Sequence, residues 1–324
     1  MSLKAPAMRG FLLWCIQIPM SNTHASQLYA HLLLVAVTLL AATGWLFSKA
    51  ALVAMTPMFF LAIRFFATAL LMGAVSSQTI LRASANQIRS ALLTGLILGL
   101  QTAVWGAALA MSNGLGVGAF LLSLSFLLIP LTGLAFGYRA QVQTWIAVAI
   151  ALPGVALLAL RNGVSIAPAD SLFLISALLL AFYFNINGRL CAGIPPVTQT
   201  FYQMLSASLA CAIAYVIWES DTEQHIGDVW YWVLLSVVFA TWLRFFLLLK
   251  AQSMSPEGQG AIVMTLEPVW VALLGITLMN ETLGLAAVTG MAVIFLALMV
   301  NSLGTVRAAR QARIVRKAEG GRKK

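Results

Sequence analysis

The sequence predicts an all-α, polytopic membrane protein: ten transmembrane helices arranged as two inverted five-helix repeats. Three observations carry this. First, residues 28 to 303 form a nearly continuous apolar ribbon, cut by short polar breaks into ten stretches. Each is close to the roughly 20 residues a helix needs to cross a bilayer. Second, hydrophobic residues make up 61% of the chain and charged residues 9%, where a soluble protein carries about 25% charge. Third, the stretches fall into two sets of five with similarly spaced prolines.

Backbone groups in hydrocarbon must be satisfied within helices or a closed barrel. Barrel strands alternate polar and apolar residues, whereas LLLVAVTLLAA (32–42) and GMAVIFLALMV (290–300) are apolar on every face. The predicted spans are 28–49, 57–77, 91–111, 115–137, 142–160, 171–190, 197–218, 229–250, 258–279 and 284–303. Turn chemistry marks the breaks: Pro57, Asn113-Gly114, Asn162-Gly163, Pro195-Pro196, Ser255-Pro256 and Asn280.

Charge orients the spans. With the N-terminus in the cytoplasm, Lys4, Arg9, Arg82, Arg89, Arg139, Arg189, Lys250 and the tail fall inside, and only Arg161 falls outside. The loop 219–228 falls outside with Glu219, Asp221, Glu223, Asp228 and no Lys or Arg. Both termini are then cytoplasmic, and the short loops suit a bacterial inner membrane. Residues 1–27 read as a cytoplasmic leader, although Lys4, Arg9 and FLLWCI also have the character of signal-peptide regions. Residues 28–160 form the first repeat, 171–303 the second, and 304–324 a basic cytoplasmic tail.

The net charge of +10 does not point to nucleic acid, because eight of the nineteen Lys and Arg lie after residue 306. A basic tail just beyond a last span reads as lying on anionic lipid. Cys15, Cys191 and Cys211 show neither pairing nor metal spacing. His225 among four acidic residues lacks fixed ligand spacing and reads as part of a solvated loop. No metal and no cofactor is expected.

The repeat appears when each residue is compared with the one 139 positions on: Pro57 falls on Pro196 and Arg64 on Gln203. Residues 106–130 align roughly with 245–268, bringing Pro130 onto Pro268 after a one-residue shift. Five spans per half is odd, so the second half enters the membrane from the opposite side, a common plan among secondary transporters.

GWLFSK (44–49), Pro57 with Arg64 seven residues on, AFLLSLSFLLIPLTGL (119–134) and SMSPEGQGAIVMTLEPVWVALLGITLMNETLGLAAVTG (253–290) carry a family likeness. The last contains Glu267-Pro268, a small-residue helix, Glu281 and Gly290. On these motifs the chain resembles the EamA-type families of the drug/metabolite transporter superfamily over about 28–303. The family's Glu after the fourth span is replaced here by Gly137-Tyr138-Arg139. The resemblance implies ten helices around a central cavity and export of small polar metabolites or amino acids.

Charges inside spans are costly and face a cavity or a partner. Lys49, Arg64, Arg244 and Glu267 are the candidates. Arg64, about 10 Å below the outer surface, is either a carboxylate ligand through its planar fork or a structural tether. Lys49 snorkels at the outer interface or forms a gate contact. Arg244 snorkels inward or lines an inner vestibule. Pro130 and Pro268 predict bends in the fourth and ninth spans, and Glu267 directly precedes Pro268, which frees the Met264 carbonyl. The acid reads as a proton carrier, an amine ligand, a partner of Arg64 or a satisfied core carboxyl.

Polar residues share faces. Gln101 and Trp105 lie together on the third span, Tyr183 and Asn187 on the sixth, Gln199 and Gln203 on the seventh, and Trp242 accompanies Thr241 on the eighth. Such a lining suits a small zwitterion or partly apolar metabolite; interhelical hydrogen bonding is the alternative. Gly95 and Gly99 form a small-xxx-small packing pair.

With His24, His31 and His225 alone, no HExxH, no paired aspartates within spans and no nucleophile motif, a membrane-embedded enzyme lacks machinery. A membrane assembly protein would not explain buried ionisable residues. No GxxxxGK[ST] is present, so the sequence gives no nucleotide drive. The expected partner is a small molecule; oligomeric state is not encoded in any recognisable motif.

Overall fold

The computed structural model describes residues 24–137, 141–159, 167–254 and 263–322. The leader up to residue 23, the breaks at Asn162-Gly163 and Ser255-Pro256, and Arg139 and Arg161 lie outside them. Among the described residues every regular element is helical.

The first five spans are α1 (His24–Ala51), α2 (Pro57–Leu81), α3 (Ala85–Met111), the pair α4 (Gly116–Ser123) and α5 (Ser125–Gly133), and α6 (Val142–Ala159). The next five are α7 (Pro168–Leu190), α8 (Pro196–Trp218), the stack α9 (Ile226–Leu235) and α10 (Arg244–Met254), then α11 (Glu267–Leu278) and α12 (Leu285–Arg322). Among the described residues nine helical stretches are long and apolar enough to cross a membrane. In the tenth place α11 has 12 residues, about 18 Å, shorter than the hydrocarbon core.

Local chemistry explains the starts. Pro57, Pro168 and Pro196 sit in the first turn of α2, α7 and α8, where no N–H donor is needed. The third span begins six residues before its predicted start, because Ser84 and Gln87 form a reciprocal capping box. The last helix does not stop at 303 but runs on through the tail to Arg322.

Two breaks differ from expectation. The fourth span breaks at Leu124, where α4 ends and α5 begins, six residues before Pro130. In the ninth span Pro268 does not kink a continuous helix. It stands in the first turn of α11, after a turn at Thr265–Leu266, where its missing donor costs nothing.

A π-helical segment, Ser236–Leu243, joins α9 to α10. Thr241 Oγ1 donates to the Ser236 carbonyl five residues back, following that wider register.

The spans pair in a regular way. The second packs on the seventh and the fifth on the tenth. The first packs on the eighth and ninth, and the sixth on the third and fourth. Exchanging each span with the one five places on maps these pairings onto themselves. Where the fifth meets the tenth, Gly154 and Gly290 face each other, and a Cβ on either would lie 2.9 Å from the other's carbonyl oxygen. Gly95 meets the Gln203 backbone and Gly99 the Ala207 backbone at the crossing of α3 and α8, the close approach small residues permit.

One end of the bundle is tied by its loop. Glu219 Oε2 accepts from the Met58 amide at 2.9 Å, in the first turn of α2. Gln224 Oε1 accepts from the Thr56 amide, and the His225 amide donates to the Ala54 carbonyl. The acidic loop is thus a strap rather than a freely solvated segment. At the same end Glu281 Oε2 accepts from the amides of Leu115 and Gly116 at 3.0 and 3.2 Å, capping α4.

Candidate functional site

A cavity of about 390 Å³ lies where both halves of the bundle meet. Spans one to four and six to nine contribute to its wall, which is mostly apolar and carries Arg64, Arg244 and Glu267.

Arg64 bridges three spans. Its Nε donates to Thr241 Oγ1 at 3.0 Å and its Nη1 to Ser48 Oγ at 2.9 Å. Each hydroxyl spends its own proton on a carbonyl, Ser48 on Gly44 and Thr241 on Ser236. A hydroxyl has one proton and two lone pairs, so both present an acceptor to the guanidinium. The π segment delivers Thr241 to this position, and Gly44 permits it: a Cβ there would meet Ala240 Cβ at 2.8 Å. The guanidinium also stands over the Phe60 ring at 5.9 Å.

Glu267 pairs with Arg244, not Arg64: Oε2 lies 3.5 Å from Arg244 Nη2. Both side chains are partly exposed to the cavity, at 32% for Arg244 and 21% for Glu267. Among the described residues no carboxylate lies within ion-pair distance of Arg64.

Gln101 and Trp105 stand together on the wall. Gln101 Nε2 donates to Ser176 Oγ at 2.8 Å, and Ser176 returns its proton to the Gln101 carbonyl. The Trp105 ring meets Trp45 edge to face at 5.2 Å, and Trp45 packs on Phe173. Trp105 Nε1, Ser125 Oγ and Arg244 Nε, all belonging to wall residues, are buried without a hydrogen-bond partner. Buried polar groups are nearly always paired; of the five unpaired atoms among the described residues three belong to this wall, and Trp242 Nε1 and Trp270 Nε1 lie off it.

The other candidates lie elsewhere. Gln203 donates to Thr94 and Asn187 at 2.9 and 2.7 Å and accepts from Tyr183 Oη at 3.2 Å. Gln199 donates to the same Asn187 oxygen. Tyr183, Asn187 and Gln203 therefore form a satisfied seam between α3, α7 and α8, off the cavity wall. Trp242 packs on Phe246 at 5.0 Å and is likewise not a wall residue, although its neighbour Thr241 is. Lys49 donates to the carbonyls of Leu109, Ala110 and Ser112 at 2.9, 3.4 and 2.5 Å. It caps the C-terminus of α3, where a cation is favoured.

Sequence reasoning did not single out Ser48 or Ser125. The signal for Ser125 was present: Ser123 and Ser125 are two small polar residues in an otherwise apolar FLLSLSFLL. A second space of about 580 Å³, lined by Asn113, Asp170, Asn280 and Glu281 among others, lies at the Glu219 end. Among the described residues no group of three or more His, Cys, Asp and Glu side chains is placed to hold a metal ion.

The model of the EamA-like transporter family matches residues 167–303. One solved structure, a crystal structure of a protein, superposes with a TM-score of 0.60 at 20% identity, covering 87% of this chain and 99% of its own. That likeness is one of fold. No curated protein matches the chain.

Proposed function

We propose that this chain, whose residues 167–303 match the model of the EamA-like transporter family, is a member of that family and a secondary transporter that exports small polar metabolites or amino acids by alternating access. The observation that carries the reading is the cavity of about 390 Å³ between the halves, with Arg64, Arg244 and Glu267 on its wall. A membrane protein keeps ionisable side chains at depth where they meet a substrate, an ion or each other. Arg64, Gln101 and Trp105 form the recognition wall, with the Tyr183–Asn187–Gln203 seam and Trp242 framing it. Glu267 is the coupling residue, and Lys49 and Arg244 act at the two ends of the path.

The main span pairings support two repeats, since exchanging the halves preserves them, and five spans in each half supports their inversion. The basic-residue distribution supports a bacterial inner membrane with both termini cytoplasmic. The tail, whose helix runs to Arg322 and whose sequence carries eight basic residues, then lies along anionic lipid.

The test is a panel of toxic amino-acid and metabolite analogues given to cells overproducing the protein, with Arg64→Ala as control. Selective resistance to one chemical class, lost in the variant, is the expected result. Unchanged survival across the panel overturns the export reading.

A further inference from the structure

We infer that the central cavity selects organic monoanions with an apolar body over zwitterions and amines. The inference rests on the cavity being the transport site, and it narrows the proposed substrates to anionic metabolites rather than amino acids. Its first support is the charge of the described wall: two guanidinium groups, Arg64 and Arg244, face one carboxylate, Glu267. The carboxylate is already engaged by Arg244 at 3.5 Å. Among the described residues the hydrogen-bond partners of Arg64's guanidinium are the neutral oxygens of Ser48 and Thr241. One positive charge is left, among the described residues, without a counter-charge in a low-dielectric space, where an isolated charge is costly. A bound monoanion supplies the missing charge; a zwitterion brings an ammonium along with its carboxylate.

The unpaired polar atoms point to the same sign of ligand. Trp105 Nε1 and Arg244 Nε are donors only, while Ser125 Oγ has a proton and lone pairs to give; among the described residues all three are buried and unpartnered on this wall. Ser125 is 1% exposed, so water outside the protein does not satisfy it. For an ammonium group the wall offers one carboxylate, Glu267, which Arg244 already holds; its other acceptors, the Gln101 amide oxygen and the hydroxyls of Thr68, Thr102, Ser123 and Thr200, are neutral. The nearby Phe126 carbonyl is occupied by Asn301. Phe65, Trp45, Trp105, Phe126, Phe184 and Phe245 supply apolar walls for the rest of the molecule.

Three probes with one phenylethyl body separate the charge types: 3-phenylpropionate, phenylalanine and 2-phenylethylamine. The full chain is reconstituted in vesicles, and counterflow is measured near neutral pH with the leak of protein-free vesicles subtracted. The expected result is saturable exchange of 3-phenylpropionate at a half-saturation concentration at least about tenfold below that of phenylalanine. The amine neither moves nor competes. Ser125→Ala, a small change in a buried position, raises the 3-phenylpropionate value about tenfold while leaving the unfolding midpoint unchanged. Equal or better handling of phenylalanine or the amine overturns the anion selectivity and leaves the transport reading standing. Failure of all three probes to move, or an unaltered Ser125→Ala, also overturns the selectivity. The resistance panel decides the transport reading independently.

Discussion

Asn301 of α12 donates its amide Nδ2–H to the Phe126 carbonyl at 3.2 Å, the acceptor that Pro130 leaves without its helical donor four residues on. Thr144 of α6 donates to Asn301 Oδ1 at 3.0 Å, fixing the amide's orientation. The fourth, fifth and tenth spans are locked together at a place where the fourth cannot satisfy itself. Asn301→Ala is expected to cost about 1–2 kcal/mol in reversible unfolding in mixed micelles, since it orphans a buried carbonyl. Pro130→Ala restores the donor, so the loss is expected to shrink in the Asn301→Ala, Pro130→Ala double variant. Additive losses would show that the two sites do not share the carbonyl.

Glu281 gives a second coupled pair. Its carboxylate caps α4, and two glycines make room for it. A Cβ on Gly114 would lie 2.3 Å from Glu281 Oε1 and one on Gly275 2.2 Å from Oε2. Glu281→Ala is expected to lose about 1–2 kcal/mol by exposing two amides to a space without an anion. Gly275→Ala is expected to destabilise the native chain strongly and the Glu281→Ala chain much less. A Gly275→Ala penalty of equal size in both backgrounds would mean that the carboxylate is not what the glycine accommodates.

Arg64 uses two of its nitrogens on two different spans, which an ammonium cannot copy with the same planar geometry. Arg64→Lys is expected to reduce transport at least about tenfold although the charge is kept. Arg64→Ala in properly inserted protein is expected to lose measurable substrate affinity. Normal affinity in that variant would assign Arg64 to the frame alone.

Much of this architecture was legible because it rests on short-range rules. Apolar runs of spanning length give the helices, and Pro57 and Pro196 mark their starts. The i, i+4 spacing of Gln101 and Trp105 puts both on one wall, as it puts Gly95 and Gly99 at one crossing. The illegible parts depend on partners far along the chain. Nothing in SVVFATWL announces a π register, which here brings Thr241 to Arg64. The same i, i+4 logic that found the cavity wall also singled out Tyr183 and Asn187, which turn instead to Gln203. Helix rotation decides between wall and seam, and periodicity alone does not fix rotation in a span apolar on every side. Pro268 shows a further limit, since a proline in a helical run is a kink or a first-turn residue depending on a break just before it.

Orientation is tested by reporter fusions. The loop with Glu219, Asp221 and Glu223 carries no Lys or Arg, whereas Arg82 and Arg89 flank the turn between α2 and α3. A fusion after Glu223 is expected to report the periplasm and one after Gln87 the cytoplasm. The reverse pattern would turn the protein over and exchange the roles assigned to its two ends.

The last prediction concerns coupling. Glu267 begins α11 and holds Arg244 across the cavity at 3.5 Å. Gaining a proton would remove one charge of this pair and release Arg244 into a space whose other cation, Arg64, is held by hydroxyls. Losing it would restore the pair and draw α10 towards α11. The pair thus offers two discrete arrangements that a proton and an anionic substrate bias in the same direction, the property a coupled transporter needs. Glu267→Gln keeps the shape and removes the charge. In reconstituted vesicles this variant is expected to lose net transport driven by a pH gradient while retaining substrate exchange. Arg244→Gln is expected to weaken both, because it removes the group that the proton sets free. If Glu267→Gln responds to the gradient as fully as the native chain, the pair holds the two helices together and the coupling does not pass through it.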